Sequence, residues 1–333
     1  MKHLRWLLIF SVTIAFSQAT QKPMSEFIRP PYLKTGDTVA IVAPAGVLPN
    51  DNPIPAAKEL LESWGLHVKI GSNVFTDGKH FAGSDAQRAN DFQTALDDIT
   101  VKAVWAARGG YGTVRIIDRL DFSKFTQHPK WVAGYSDITV LHSHLHKLGY
   151  ETIHSIMGSE MDRDSVGVQK SIATLKKAFF GKDLTYDIKP SKYNKPGTAK
   201  GQIIGGNLSI LQSLLGSETQ LDTAGKILFI EEVGEYKYAI DRMLHALKRA
   251  GYFEHCKGLV VGGMTKIKRN TTSYGLTIEE LVLNVVKDYD FPVLFNFPAG
   301  HGEVNEAIVM GREVEIIAEK ETAEFNYVNG GTQ

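Results

Sequence analysis

Three residues in this chain, Ser136, Glu231 and His301, are of types that together can open an amide by nucleophilic attack. A serine hydroxyl becomes a nucleophile when an imidazole takes its proton, and the imidazole needs a third group to fix its tautomer. Ser136 lies in Gly134-Tyr135-Ser136-Asp137-Ile138-Thr139, directly after the short apolar run Trp131-Val132-Ala133. Val140, Leu141, His144, Leu145 and Leu148 then recur at helical spacing, so the serine falls on a strand-to-helix turn. Such a turn exposes and strains the side chain and points the N–H groups of the new helix at whatever the serine attacks. Glu231 closes the apolar run Ile227-Leu228-Phe229-Ile230, where a carboxylate is costly unless paired. His301 sits in the glycine-flanked loop Pro298-Ala299-Gly300-His301-Gly302. The order Ser, Glu, His is one of the known chain orders for such triads. Each residue also has a plainer use: Ser136 as a helix N-cap, Glu231 as one member of an interdomain ion pair, His301 as a surface side chain.

Other residue groups offer less. Arg108-Gly109-Gly110-Tyr111-Gly112 follows a second short strand, Ala103 to Ala107, and a glycine loop there is able to present a further N–H to the reacting oxygen. Neither this loop nor Gly205-Gly206-Asn207 has the lysine of a phosphate-binding loop or the spacing of a dinucleotide fingerprint. Arg108 and Arg115 can meet substrate carboxylates or form structural ion pairs. His142 and His146 are one helical turn apart, a spacing able to bind zinc, but the metalloprotease glutamate between them is missing. No metal and no cofactor is expected.

The elements that must position these residues alternate. Thr38 to Ala43 reads as a central strand, followed by a helix from about Pro55 to Trp64, a strand at His67 to Ile70 and a helix capped by Ser84. After the strands at 103–107 and 131–133 come a short strand at 152–154 and a helix from about Val166 to Phe179. This pattern predicts an α/β fold whose first domain, residues 28–180, has a parallel, doubly covered sheet with its functional loops at the carboxyl ends of the strands. Residues 181–199, with Pro190 and Pro196 and no apolar period, read as a linker. A second α/β domain with a mixed sheet is expected over 200–325, and the cleft between the two would hold the site. Within it, Ala307 to Met310 and Val314 to Ile317 are predicted to form a terminal hairpin around Gly311-Arg312.

The chain is 333 residues long with 37 basic and 37 acidic residues, so nothing in its charge favours nucleic acid or an anionic membrane as partner. Lys2, His3 and Arg5 precede an apolar run from Trp6 to Phe16, and Ser17-Gln18-Ala19 offers small residues for cleavage. Residues 1–19 therefore read as an export signal, and the mature chain is expected outside the cytoplasm, in the periplasm. With Cys256 as the single cysteine, no internal disulfide forms.

Five separated motifs, taken in order, resemble the LD-carboxypeptidases, or murein tetrapeptide carboxypeptidases. They are Arg108-Gly109-Gly110-Tyr111-Gly112 with Arg115, Gly134 to Thr139, Gly205-Gly206-Asn207-Leu208, Phe229-Ile230-Glu231-Glu232 with Asp241-Arg242-Met243-Leu244, and Pro298-Ala299-Gly300-His301. The resemblance implies a serine peptidase that removes the terminal D-alanine from a murein tetrapeptide, cutting after the L-centre of diaminopimelate. It implies Ser136 as nucleophile, His301 as general base and acid and Glu231 as the orienting carboxylate. The N–H groups of Gly110 and Asp137 would form the oxyanion hole, with Arg108 and Tyr111 as candidate substrate contacts. It favours Glu231 over Glu232, since strand alternation lets only one face the site, and it implies a homodimer. The resemblance extends to the microcin C self-immunity peptidases, which cut peptidyl or aminoacyl nucleotides. An exported peptide-binding protein with a cleft between two α/β domains is the non-catalytic alternative, but such a binder has no need of all three residues.

Overall fold

The computed structural model describes residues 27–49, 53–161 and 165–328. The expected export signal, residues 1–19, lies outside them.

The first part of the chain runs β1 (Thr38–Val42), α1 (Ile54–Ser63), β2 (His67–Ile70), α2 (Asp85–Asp97), β3 (Val101–Ala106), α3 (Ser123–Gln127), β4 (Trp131–Gly134), α4 (Thr139–Lys147), β5 (Thr152–His154) and α5 (Val166–Phe179). The second part follows as β6 (Gly197–Asn207), α6 (Leu208–Ser213), β7 (Ile227–Val233), α7 (Lys237–Arg249), β8 (Gly258–Thr265), α8 (Ile278–Val285), β9 (Val293–Leu294), β10 (Ile308–Met310), β11 (Glu313–Ala318) and β12 (Ala323–Tyr327). They form two six-stranded mixed sheets, ordered β10-β5-β4-β3-β1-β2 and β12-β11-β6-β7-β8-β9.

In the first sheet, β2, β1, β3, β4 and β5 are mutually parallel. Parallel strands are covered on both faces and therefore read as continuous apolar runs. β1 and β3 do so, packing one face against α1 and α5 and the other against α2 and α4. Trp105 fits this interior because its indole N–H finds the Ile156 carbonyl at 2.8 Å. α2 begins with the expected Ser84 cap, closed as a reciprocal box with Gln87.

The predicted terminal hairpin does not form. β10 pairs antiparallel with β5, in the first sheet, whereas β11 pairs antiparallel with β6 and β12, in the second. Burial explains the parting: all three residues of β10 are buried, which suits a doubly covered sheet, while β11 alternates buried and half-buried positions. The chain changes sheets at Gly311-Arg312, where the Ile203 carbonyl accepts from Gly311 and the Arg312 carbonyl accepts from Ile203. β12, absent from the sequence reading, completes the edge.

Several contacts tie the sheets together around the crossover. The Arg312 guanidinium donates to both carboxylate oxygens of Glu151, Nε at 3.2 Å and Nη2 at 2.6 Å, with both side chains buried. Removing one partner of such a pair strands the other charge away from water, so Glu151→Ala is expected to lower unfolding free energy by about 3–5 kcal/mol. Urea denaturation measures it. At the other junction, the backbone N–H of Asn207 donates to Thr139 Oγ1 at 3.0 Å. Gly206 lies so close that a Cβ there would come within 2.4 Å of the same oxygen. The end of β6 thus packs directly on the start of α4, the helix that follows Ser136. Gly206, having no side chain, permits this close approach of the two halves.

Candidate active site

Ser136 follows β4 at the first position of a single 3-10 turn, Ser136–Ile138, which leads into α4. Its φ of +62° lies in the left-handed region, where a non-glycine residue stores about 1–3 kcal/mol of strain. The strain is held in place because Gly134 and Ala133 are bonded into the sheet on one side and α4 is buried on the other. This is the strand-to-helix turn the sequence predicts.

His301 reaches this serine from the loop after β9. Its Nε2 lies 3.1 Å from Ser136 Oγ, and its Nδ1 lies 2.7 Å from Glu231 Oε2. A carboxylate only accepts, so Nδ1 carries the hydrogen and donates to Glu231, leaving Nε2 free to accept the Ser136 hydroxyl proton. Ser136, His301 and Glu231 are therefore in series, contributed from both halves of the molecule.

The loop bearing His301 is fixed from several sides. Gly300 N–H donates to Asn305 Oδ1 at 2.9 Å, Asn305 N–H donates to Ser171 Oγ in α5 at 2.8 Å, and Thr265 Oγ1 donates to the His301 carbonyl at 3.2 Å. Gly300 has φ +113°, and any Cβ on it would sit 2.8 Å from Glu231 Oε2. The loop approaches the carboxylate this closely because the side chain is missing.

Glu231 is wholly buried among the last three residues of β7, and Glu232 is buried as well but faces elsewhere. The pairing of β7 with β8 shifts register between Ile230 and Glu232. The Glu232 carboxylate accepts from Ser209 N at 2.7 Å, Val233 N at 2.8 Å and Asn207 Nδ2 at 3.2 Å, holding the start of α6. Burial pushes its carboxyl above the usual range. Of the two glutamates, only Glu231 meets the imidazole.

Burial by itself would push the His301 imidazole down, but the hydrogen bond and charge of Glu231, with the charges of Glu160 and Glu232, more than offset this and leave its pKa raised. The imidazole also has an aromatic neighbour. The Tyr135 ring leans on the His301 ring at a centroid distance of 4.7 Å. Its hydroxyl donates to Glu160 Oε1 at 3.0 Å, while Glu160 Oε2 accepts from Met157 N at 3.0 Å. Tyr135 belongs to the Gly134 to Thr139 motif, but Glu160 lies in a 3-10 turn after β5, where no periodicity marks it.

Gly110 is exposed, at φ +99°, and the loop that carries it touches the serine: a Cβ on Gly109 would lie 3.2 Å from Ser136 Cβ. Asp137 is buried directly after Ser136, and in the opening turn of a helix its N–H has no partner within the helix. Tyr111 is 45% exposed beside the rings of His80 and Phe81. Arg108 donates from Nη1 to the Val47 carbonyl, and Arg115 pairs with Asp85 at 2.9 Å.

The histidines of α4 are differently employed. His142 Nε2 bonds the Gly134 carbonyl at 2.9 Å, and His146 Nε2 bonds Thr152 Oγ1 at 3.1 Å. Both are buried, and burial lowers the His142 pKa to about 4. They are neutral struts between α4 and the sheet rather than solvated side chains.

A serine hydroxyl, an imidazole and a buried carboxylate in series, set where two α/β halves meet, form the arrangement of a serine-type hydrolase. The chain belongs to the LD-carboxypeptidase family: residues 39–155 match the family's N-terminal domain and residues 200–316 its C-terminal domain. It is 35% identical over 299 residues to the probable murein peptide carboxypeptidase of Bacillus subtilis (strain 168), a match covering 89% of this chain and 93% of that protein. The crystal structure of muramoyltetrapeptide carboxypeptidase from Oxalobacter formigenes superimposes with a TM-score of 0.80 at 26% identity, covering 89% of this chain and 100% of that one. An MccF-like protein from Bacillus anthracis str. Ames superimposes with a TM-score of 0.79 at 25% identity, covering 91% and 99%. The two-domain fold with two mixed sheets is therefore that of the family. Among the described residues, no helix is long and apolar enough to cross a membrane.

Proposed function

We propose that this chain is a serine LD-carboxypeptidase that removes the terminal D-alanine from murein tetrapeptides. The observation that carries the reading is the series of hydrogen bonds from Ser136 Oγ through His301 to Glu231. His301 Nε2 takes the proton of Ser136 as Oγ attacks the carbonyl between the L-centre of diaminopimelate and D-alanine. Glu231 steadies the imidazolium, and the N–H groups of Gly110 and Asp137 receive the oxyanion, each such donor contributing about 3 kcal/mol to lowering the barrier. The imidazolium then protonates the departing amine of D-alanine, and water, deprotonated by the same imidazole, releases the shortened peptide. The murein peptide names of the Bacillus subtilis and Oxalobacter formigenes proteins support this substrate class. The basic-then-apolar N-terminus supports export, which would place the enzyme beside wall material rather than cytoplasmic recycling products.

A second reading follows the resemblance to the microcin C self-immunity peptidases, to which the MccF-like neighbour adds a shared fold: the same triad acting on a peptidyl or aminoacyl nucleotide. Mass spectrometry of the chain from residue 20 onward, offered a murein tetrapeptide and an aminoacyl nucleotide conjugate together, separates the two. Loss of one alanine from the tetrapeptide with the conjugate untouched is expected. An intact tetrapeptide beside a cleaved conjugate would transfer the assignment to the second reading, and tight tetrapeptide binding without release would make the protein a binder.

A further inference from the structure

The side chain of Asp137 is wholly buried one residue after the serine, yet it does not point at His301. Its Oδ2 instead accepts the backbone N–H of Thr113 at 2.8 Å. Thr113 begins the short 3-10 turn that ends the glycine loop, three residues beyond Gly110. Two backbone carbonyls of the same loop are pinned as well. Gly109 gives its carbonyl to the N–H of Gly46 at 2.9 Å, and Gly112 gives its carbonyl to Arg88 Nη1 at 2.9 Å. Arg88 is itself fully buried, with Nη1 also on the Pro44 carbonyl. Of these ties, the one to Gly46 binds the loop to the segment after β1 and the one to Arg88 binds it to α2. Only the Asp137 carboxylate binds it to the turn that carries Ser136.

The geometry points to Asp137 as the positioning residue of the oxyanion pocket: its backbone contributes one N–H, and its side chain fixes the loop that contributes the other. This rests on the serine-hydrolase reading above. Two donors must converge on one oxygen to within a few tenths of an ångström, and they come from separate loops after β3 and β4. A carboxylate on the residue that holds one donor, bonded to the segment that holds the other, sets their separation. Burial, which outweighs the hydrogen bonds to Thr113, raises the Asp137 pKa, and an amide at this position keeps both the shape and an oxygen acceptor for Thr113.

The test uses a fluorophosphonate, which reads the pocket without any choice of peptide. Ser136 Oγ forms a bond to phosphorus as the P–F bond breaks, fluoride leaves, and the serine proton passes to His301. Asp137→Ala is expected to slow labelling of Ser136 about 100-fold. It should also cut kcat for tetrapeptide by a similar factor while KM moves less than about threefold. Asp137→Asn, which still offers an oxygen to Thr113, is expected to recover labelling to within about tenfold of the parent. Should the alanine variant fail to fold, Asp137→Leu fills the volume without an acceptor and carries the same expectation. Labelling within threefold of the parent in a folded Ala or Leu variant, or an Asn variant as slow as Ala, would overturn the proposal. So would a loss confined to KM. A parent enzyme that labels at Ser136 but ignores the tetrapeptide would instead remove the substrate assignment and leave this test intact.

Discussion

Replacing Ser136 with alanine is expected to lower kcat for D-alanine release by about four to six orders of magnitude, with KM for the tetrapeptide within about threefold of the parent. The hydroxyl makes its hydrogen bond to His301 and, in the proposed reaction, supplies the atom that attacks. The turn around it is held by β4 and α4 rather than by the hydroxyl, and Gly206 packs on Thr139, not on Ser136. Binding groups therefore stay where they are, and the loss falls on the chemical step. Steady-state kinetics with thermal unfolding of the variant measures both halves of the expectation. A variant retaining more than about a hundredth of the parent kcat would contradict attack by this oxygen.

Glu231→Gln is expected to lower kcat by about 10⁴-fold through a different route. The amide keeps the shape, but it presents either an acceptor without charge or an N–H toward His301 Nδ1. In the second case the ring turns its hydrogen to Nε2, and the serine then has no acceptor. The pH profile carries an independent signature. In the parent, burial lowers the His301 pKa but Glu231 and the other nearby carboxylates raise it further, so the net shift is upward. In the proposed reaction the working base is the neutral ring, so activity is expected above the folded-state pKa and is lost as pH falls through it. Removing the charge of Glu231 leaves burial less opposed, and the acid limb of kcat/KM in the variant should move to lower pH. A limb that stays in place would show that Glu231 does not set the charge state of the imidazole.

Much of this architecture could be read along the chain because its signals were local. Continuous apolar runs such as Thr38–Val42 and the Ser84-x-x-Gln87 box mark buried strands and a helix start without reference to anything distant. Ser136 was visible as a strand-to-helix serine for the same reason. That Glu231 and His301 meet it was not derivable from spacing, because they come 95 and 165 residues later on another sheet; the motif resemblance supplied that expectation. The pairing of β10 with β5 is not legible in the sequence, because two short apolar runs around Gly311 satisfy the local signature of a hairpin. Only the complete burial of β10, set against the alternation of β11, separates them into different sheets. Glu160, Asn305 and the Asp137 side chain were hidden for a related reason. A buried polar group is defined by the partner that satisfies it, and here those partners lie in other loops. His142 and His146 have a spacing that suits zinc, but their partners are a carbonyl and a hydroxyl across the helix–sheet interface.

The proposed chemistry depends above all on a hydroxyl, an imidazole and a carboxylate assembled from two halves of one chain. Peptide mapping after brief exposure to a fluorophosphonate, in the parent and in His301→Ala, measures it without assuming a substrate. A single adduct on Ser136 in the parent, formed about a thousandfold more slowly once the imidazole is gone, is the expected result. An adduct elsewhere, or one that forms at Ser136 equally fast in His301→Ala, would contradict it.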